Sequence, residues 1–405
     1  MNLQTRRNSN RYFLGLLLTA FVLVALTVLS FRGTPAQAVV SEANDETGAS
    51  QMPTTLFLPV MYGSLYPAPT SLASSTAMPA GSDMYTWTLN WDAATTPAGA
   101  SYTIFESNSP DMDPILNTYT SSTNSLIVNQ PASTSNIFYY TVKLTDSQSV
   151  ESAPIKVVGA YHDNFLTPSG WEIRRQDFDD TENVLSYQFD NLKMHVRGRW
   201  DYFIASPLAE APPPPYRIST LVKFEGAGNL NAYGIIFGGD WNGGQCPSVF
   251  PPTRSGLADG VEYDVLPPIG VRAPDAPSVF DNCLNNYYRL QLLWKDGGPR
   301  MLAQYKKIDF HDDNNEGRGQ TTYIDGTQFT VSSGSANEWN EWSIEVYPDG
   351  TILTFSGDER INTVKIDTDY INRPYFGFYA SSNEYPGADP LWNYLTVEPI
   401  EPMSE

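Results

Sequence analysis

Cysteine and histidine are almost missing from this chain: two of the one and three of the other in 405 residues. The histidines, His162, His195 and His311, lie far apart with no metal-ligand spacing and are expected at the surface, and neither cysteine belongs to a CxxC pair. Zinc-finger-like metal binding is thereby excluded. Basic residues are also scarce, 24 Lys and Arg against 45 Asp and Glu, which gives a net charge of −21. So acidic a surface repels phosphate backbones and anionic lipids, and nucleic acid is not expected as a partner. The chain has no Gly-x-Ser-x-Gly elbow and no Gly-Lys pair for a phosphate loop. Aromatic residues, by contrast, make up 13% and charged residues only 17%, a composition that suits packed sheets rather than disorder.

Charge of either sign vanishes between Tyr12 and Phe31, an apolar run that follows Arg6, Arg7 and Arg11 and precedes Ala36-Gln37-Ala38. That order reads as an export signal over residues 1–38, either cleaved after Ala38 or kept as an anchor with its basic end in the cytoplasm. The remainder is expected outside the membrane, secreted or at the cell surface, touching the bilayer only through this segment. Its removal leaves 20 basic and 45 acidic residues, a net charge of −25. In an oxidising compartment the even pair Cys246 and Cys283 is expected to form a disulfide.

Residues 39–67 are a Ser/Thr/Pro-rich linker, apart from the apolar stretch Thr55–Tyr62, which suits an edge strand or a buried tether. Tyr85, Trp87, Leu89 and Trp91 then alternate with polar residues, the period of a half-buried strand. Similar runs recur at 100–106, 125–129, 137–144 and 154–158, between turn-forming Asn, Asp, Ser and Pro. Through Leu89-Asn90-Trp91, Tyr102-Thr103-Ile104 and Tyr140-Thr141-Val142, residues 68–158 resemble a fibronectin type III domain. The resemblance implies a seven-stranded spacer or adhesion module without chemistry of its own. The link Gly159-Ala160-Tyr161-His162 is short enough to hold this module against the next.

From 163 to 398 the strands lengthen. Tyr216, Ile218, Thr220, Val222 and Phe224 alternate with Arg217, Ser219, Leu221 and Lys223, and Pro348-Asp349-Gly350 turns Trp342–Val346 into Thr351–Phe355. No helix-period segment appears. Asp163-Asn164-Phe165 with Gly170-Trp171, Tyr233–Phe237, Tyr287-Tyr288-Arg289-Leu290, Glu341–Val346 and Trp392–Val397 together resemble a concanavalin A-like jelly roll of the laminin G and glucanase-like kind. The fold class expected for the chain is therefore all-β, a fibronectin III-like β-sandwich followed by a jelly roll. The second resemblance implies two curved sheets, one of which binds glycans in many relatives. An insert at about 238–286, rich in Pro, Gly and Asp, departs from that pattern, and the two cysteines fall near its ends, where a bridge would tie it off at its base. It reads as a ligand-facing lid or as ornament.

Inside the insert, Glu262-Tyr263-Asp264-Val265-Leu266 resembles the start of the catalytic strand of family 16 β-glucanases. A retaining glycosidase needs a second carboxyl about 5 Å away, and positions 266 and 267 are Leu and Pro. No catalytic residue is assigned. Asp309, Asp312, Asp313, Asn315 and Glu316 crowd one loop with hard oxygen ligands that suit Ca²⁺, although a solvated acidic loop explains them as well; no other cofactor is required. For sugar, Asp240-Trp241-Asn242 and the pair Trp200 and Tyr202 supply flat aromatic faces beside hydrogen-bonding groups. A glycan-binding or adhesion protein whose partner is a polysaccharide is the leading reading. A glycoside hydrolase-like enzyme and a structural surface protein with protein partners are the alternatives.

One measurement bears on the cysteines directly. Mass spectrometry of the exported chain without reduction is expected to find Cys246 and Cys283 in one cross-linked peptide, a closure that stabilises by roughly 4 kcal/mol in the chain-entropy model.

Overall fold

In the computed structural model of the chain the described residues are 67–81, 83–92, 100–145, 150–176, 183–196, 201–225, 231–241, 284–294, 301–309, 320–324, 327–331, 338–382 and 388–403. Among them all regular structure is β and every ladder is antiparallel. Two pairs of sheets enclose two separate hydrophobic cores.

The smaller pair is built on Met84–Asp92, whose inward residues Tyr85, Trp87, Leu89 and Trp91 are buried as their alternation requires. It pairs with Thr70–Ser74, Met78–Pro79 and Ser125–Pro131. The facing sheet runs Ile115–Ser121, Tyr102–Ser107, Ile137–Leu144, Ile155–Val158, and contributes Tyr102, Ile104, Tyr140, Val142 and Leu144 to the core. Ile115–Ser121 is a strand that apolar alternation does not reveal, because it lies at the sheet edge with most of its residues exposed. One carboxylate sits inside this sandwich. Glu106 is buried and accepts hydrogen bonds from Asn117 Nδ2 (2.6 Å), Tyr119 (2.9 Å), Tyr140 (2.7 Å) and Gln130 Nε2 (3.0 Å). Gln130 belongs to the opposite sheet, so the carboxylate ties the two layers together. Burial and the adjoining Glu106 carboxylate push the hydroxyls of Tyr140 and Tyr119 well above the ordinary tyrosine range.

In the larger pair an eight-stranded sheet has Asp389–Pro399 and Tyr216–Glu225 at its centre, flanked by Trp339–Val346 on one side and Leu192–His195 on the other. A nine-stranded sheet faces it, with Tyr375–Ser382, Ala232–Trp241, Tyr287–Trp294 and Met301–Asp309 in successive positions. Tyr216, Ile218, Val222 and Phe224 meet Phe203, Tyr233, Ile235 and Phe237 in one core. Rings bind the layers: Phe378 of one sheet stacks on Trp392 of the other at 3.7 Å and 8°, and on Trp171 at 4.8 Å and 17°. Trp171 is in turn held through its indole N–H by Asp163 (2.9 Å), whose buried carboxylate also accepts from Ser169, Tyr161 and the amide of Phe165. The outcome is an all-β two-layer sandwich.

The segment joining the two sandwiches is itself structured. Ala160 and Tyr161 are buried, and Tyr161–Asp163 pairs with Asp389–Pro399. Ser133 N–H donates to the Ala160 carbonyl, Tyr85 donates to Glu398 (2.5 Å), Asn136 Nδ2 donates to the Glu210 carbonyl (2.7 Å), and Lys156 bridges the Glu210 carboxylate at 2.8 Å.

Truncating the carboxylate at the heart of the small sandwich, Glu106→Ala, strands at least three donors. The expected loss is roughly 3 kcal/mol or more, read as a lowered urea midpoint, with Glu106→Gln less damaging.

Candidate functional site

A sheet strand buries alternate residues on opposite faces, and the nine-stranded sheet is populated on both. Tyr288, Leu290, Leu292 and Tyr305 enter the inter-sheet core. Their neighbours Tyr287, Arg289, Gln291 and Lys306 therefore stand on the outer face, with Tyr379, Ile236, Ile308 and Ile204 forming a second apolar cluster there. Register brings the polar ones together: Arg289 lies opposite Lys306 and Gln291 opposite Gln304. The next row pairs Gln291 with Gly234, and Gly234 with Tyr379.

Gly234 is required at this place by space. A Cβ there would sit 2.1 Å from the Leu290 carbonyl oxygen, so the position stays bare. Across it the Arg289 guanidinium lies over the Tyr379 ring, 3.7 Å from its centre, and donates through Nη2 to Gln291 Oε1 at 3.0 Å. Arg289 is only 6% exposed, and its Nε is buried with no hydrogen-bond partner. Lys306 is 8% exposed. Burial, with the adjacent Arg289 charge, brings its amine down to about 7. The face thus combines an aromatic ring, two amide side chains and two basic groups around Gly234, where the Leu290 backbone takes the place a side chain would need.

At one end of the same sheet the strand kinks. Gly238 holds φ +61, and register slips between Ile236 and Gly239, a bulge that re-aims the last residues of the strand. Asp240 comes next, half-buried, and accepts from Arg373 Nη1 at 2.9 Å; Arg373 in turn packs over Tyr370 at 4.1 Å. Trp241 continues the strand opposite Leu284, so the strand entering the insert runs past Phe237 and resumes at Leu284–Asn285.

Of the residues singled out from sequence, Asp240 is placed with its side chain, whereas Trp241, Tyr202 and Asp309 are placed as strand backbone only. Trp200, Asn242, Asp312, Asp313, Asn315, Glu316, Glu262, Asp264, Cys246, Cys283, His311 and the segment 1–38 lie outside the described residues. Among the described residues no group of three or more His, Cys, Asp and Glu is arranged to hold a metal. His162 and His195 are half-buried and engaged, the first with Thr396 at 2.8 Å and the second with Asp389, rather than free on the surface. Sequence reasoning missed Arg289, Gln291, Lys306 and Tyr379. The polar residues at 289 and 291 between Tyr288, Leu290 and Leu292 are the signal that could have found the first two.

No family model matches the chain, and no curated protein matches it. Solved structures do. A legume lectin-like domain from Entamoeba histolytica aligns at 10% identity and TM-score 0.35, covering 57% of this chain and 91% of that one. A β-glucanase from Bacillus licheniformis aligns at 11% and 0.33, covering 59% and 98%. The κ-carrageenase of Pseudoalteromonas carrageenovora, solved with an oligotetrasaccharide of κ-carrageenan, aligns at 10% and 0.35, covering 58% and 92%.

The lysine supplies a pH test with a definite sign. Between about pH 7 and 10.5 the unfolded chain keeps the Lys306 proton and the folded chain does not, so stability at this site rises with pH. Lys306→Met is expected to be more stable than the wild type at pH 7, with the gap closing as pH approaches 10.5. Urea midpoints across that window measure it, and a gap independent of pH would contradict the assignment.

Proposed function

We propose that the chain is an extracellular carbohydrate-binding protein, with the outer face of the nine-stranded sheet as the glycan surface and the small, fibronectin III-like sandwich as a spacer. The observation that carries this reading is the bulged end of this sheet, where the half-buried pair Asp240 and Arg373, packed over the Tyr370 ring, presents hydrogen-bonding groups at the mouth of the insert. Sugars ask for a flat apolar contact flanked by donors and acceptors. Asp240, Trp241 and Asn242 at the mouth of the insert, with Trp200 and Tyr202, extend the proposed surface, and Ca²⁺ in the loop from Asp309 to Glu316 remains part of the proposal. Retention rather than cleavage fits the central strands. Their outward positions from Ala232 to Ile236, Tyr287 to Leu293 and Gln304 to Ile308 hold no Asp or Glu, whereas glycoside hydrolysis ordinarily needs two.

A glycan array followed by pull-down tests the reading. The chain is expected to retain a polysaccharide and release no reducing ends on long incubation. Trp241→Ala is expected to weaken retention by about 1–2 kcal/mol, one stacking contact, without lowering the melting temperature, and Glu262→Gln to change little. Turnover abolished by Glu262→Gln would replace this reading with an enzyme.

A further inference from the structure

Charge is absent from one side of the small sandwich. Between Asp113 and Lys143 the sequence holds no Asp, Glu, Lys, Arg or His. That stretch supplies the edge strand Ile115–Ser121 and, after Ser122, Thr123 and Asn124, the strand Ser125–Pro131 of the facing sheet. Ile115 (43% exposed), Leu116 (47%) and Ile127 (65%) stand in water there. Proteins ordinarily defend a strand edge with charge or a kink, because its unpaired backbone is a template for another strand. Other edges of this molecule are defended: Glu172–Gln176 carries Glu172 and Arg174, Glu359–Lys365 carries Glu359, Arg360 and Lys365, and Thr70–Ser74 holds Ser71 at φ 57.

The ladder tells which backbone groups of Ile115–Ser121 face outward. Thr145 N–H donates to the Ser101 carbonyl at 2.9 Å, on the side of Ile137–Leu144, while Val142 exchanges its bonds with Ser152 on the far side. By alternation Tyr102, Ile104 and Glu106 turn the other way, to Ser121, Tyr119 and Asn117. The amides and carbonyls of Thr118 and Thr120 therefore point out from the edge. The register slip of this pair lies at its Ile115 end, so Asn117–Ser121 is regular. It is also held firmly, since Asn117 and Tyr119 donate to the buried Glu106 carboxylate.

We infer that this edge joins two copies of the chain, Ile115–Ser121 of one adding antiparallel to the same strand of the other. Two four-stranded sheets then become one continuous sheet across a two-fold axis. With Thr118 of one copy opposite Thr120 of the other, each outward amide meets an outward carbonyl, so the strand is its own complement. Charge selects the occupant. Copies of a chain with net charge −21 repel one another wherever acidic surfaces approach, and an edge with no charge is where they can meet closely. A strongly basic or acidic partner finds nothing to pair with on it. This joint presupposes nothing about glycan binding.

Sedimentation velocity of the whole chain over a concentration series, in low and in high salt, tests the joint. A reversible monomer–dimer equilibrium is expected, tightening as salt rises, because salt screens the general repulsion while the joint itself is uncharged. Amide hydrogen exchange at Thr118 and Thr120 is expected to slow as the dimer forms. Thr118→Pro removes an outward N–H and spares the ladder to Tyr102–Ser107, and Thr118→Lys sets like charges near the axis. Each is expected to weaken the dimer on the order of tenfold or more, at an unchanged melting temperature. If Thr118→Pro unfolds the small sandwich, Thr118→Lys decides alone. A chain that stays monomeric throughout the series in high salt overturns the joint. So does a dimer that loosens with salt, or one that survives Thr118→Lys, since its contact then lies elsewhere.

Discussion

The stack of Trp171, Phe378 and Trp392 is the contact on which the large sandwich turns. Two sheets that touch only through aliphatic side chains can slide, because dispersion is not directional. Parallel rings at 3.7 Å and 4.8 Å fix both spacing and lateral offset. The stack is also anchored, since the Trp171 indole is held by Asp163, and Asp163 closes the first strand after the small sandwich. Layer separation, chain entry and core packing thus share one set of residues. Because Phe378 and Tyr379 are consecutive, that stack also sets the height of the ring on the other side of the sheet, where Arg289 lies.

Much of this architecture is visible in sequence because period-two alternation survives wherever one face is buried and the other wet. Tyr216–Glu225 and Met84–Asp92 behave as read. Ile115–Ser121 does not announce itself, since an edge strand exposed on both faces places no demand on which positions are apolar. The cation pair escaped for another reason. Arg289 and Lys306 are seventeen positions apart, and nothing in either strand alone says that register will set them opposite one another. A residue such as Trp241 draws notice by type, whereas Arg289 draws it only through its place in the ladder, a property of three dimensions.

Buried Ala160 and Tyr161, with Tyr85, Asn136 and Lys156 reaching across to Glu398 and Glu210, make the junction between the sandwiches a weld. A weld transmits torque where a flexible tether would dissipate it. The angular spread that a string of loosely joined beads explores is removed before any partner arrives, so orientation is inherited from the chain rather than found by diffusion. The small sandwich then behaves as a strut, setting the direction in which the larger sandwich is held.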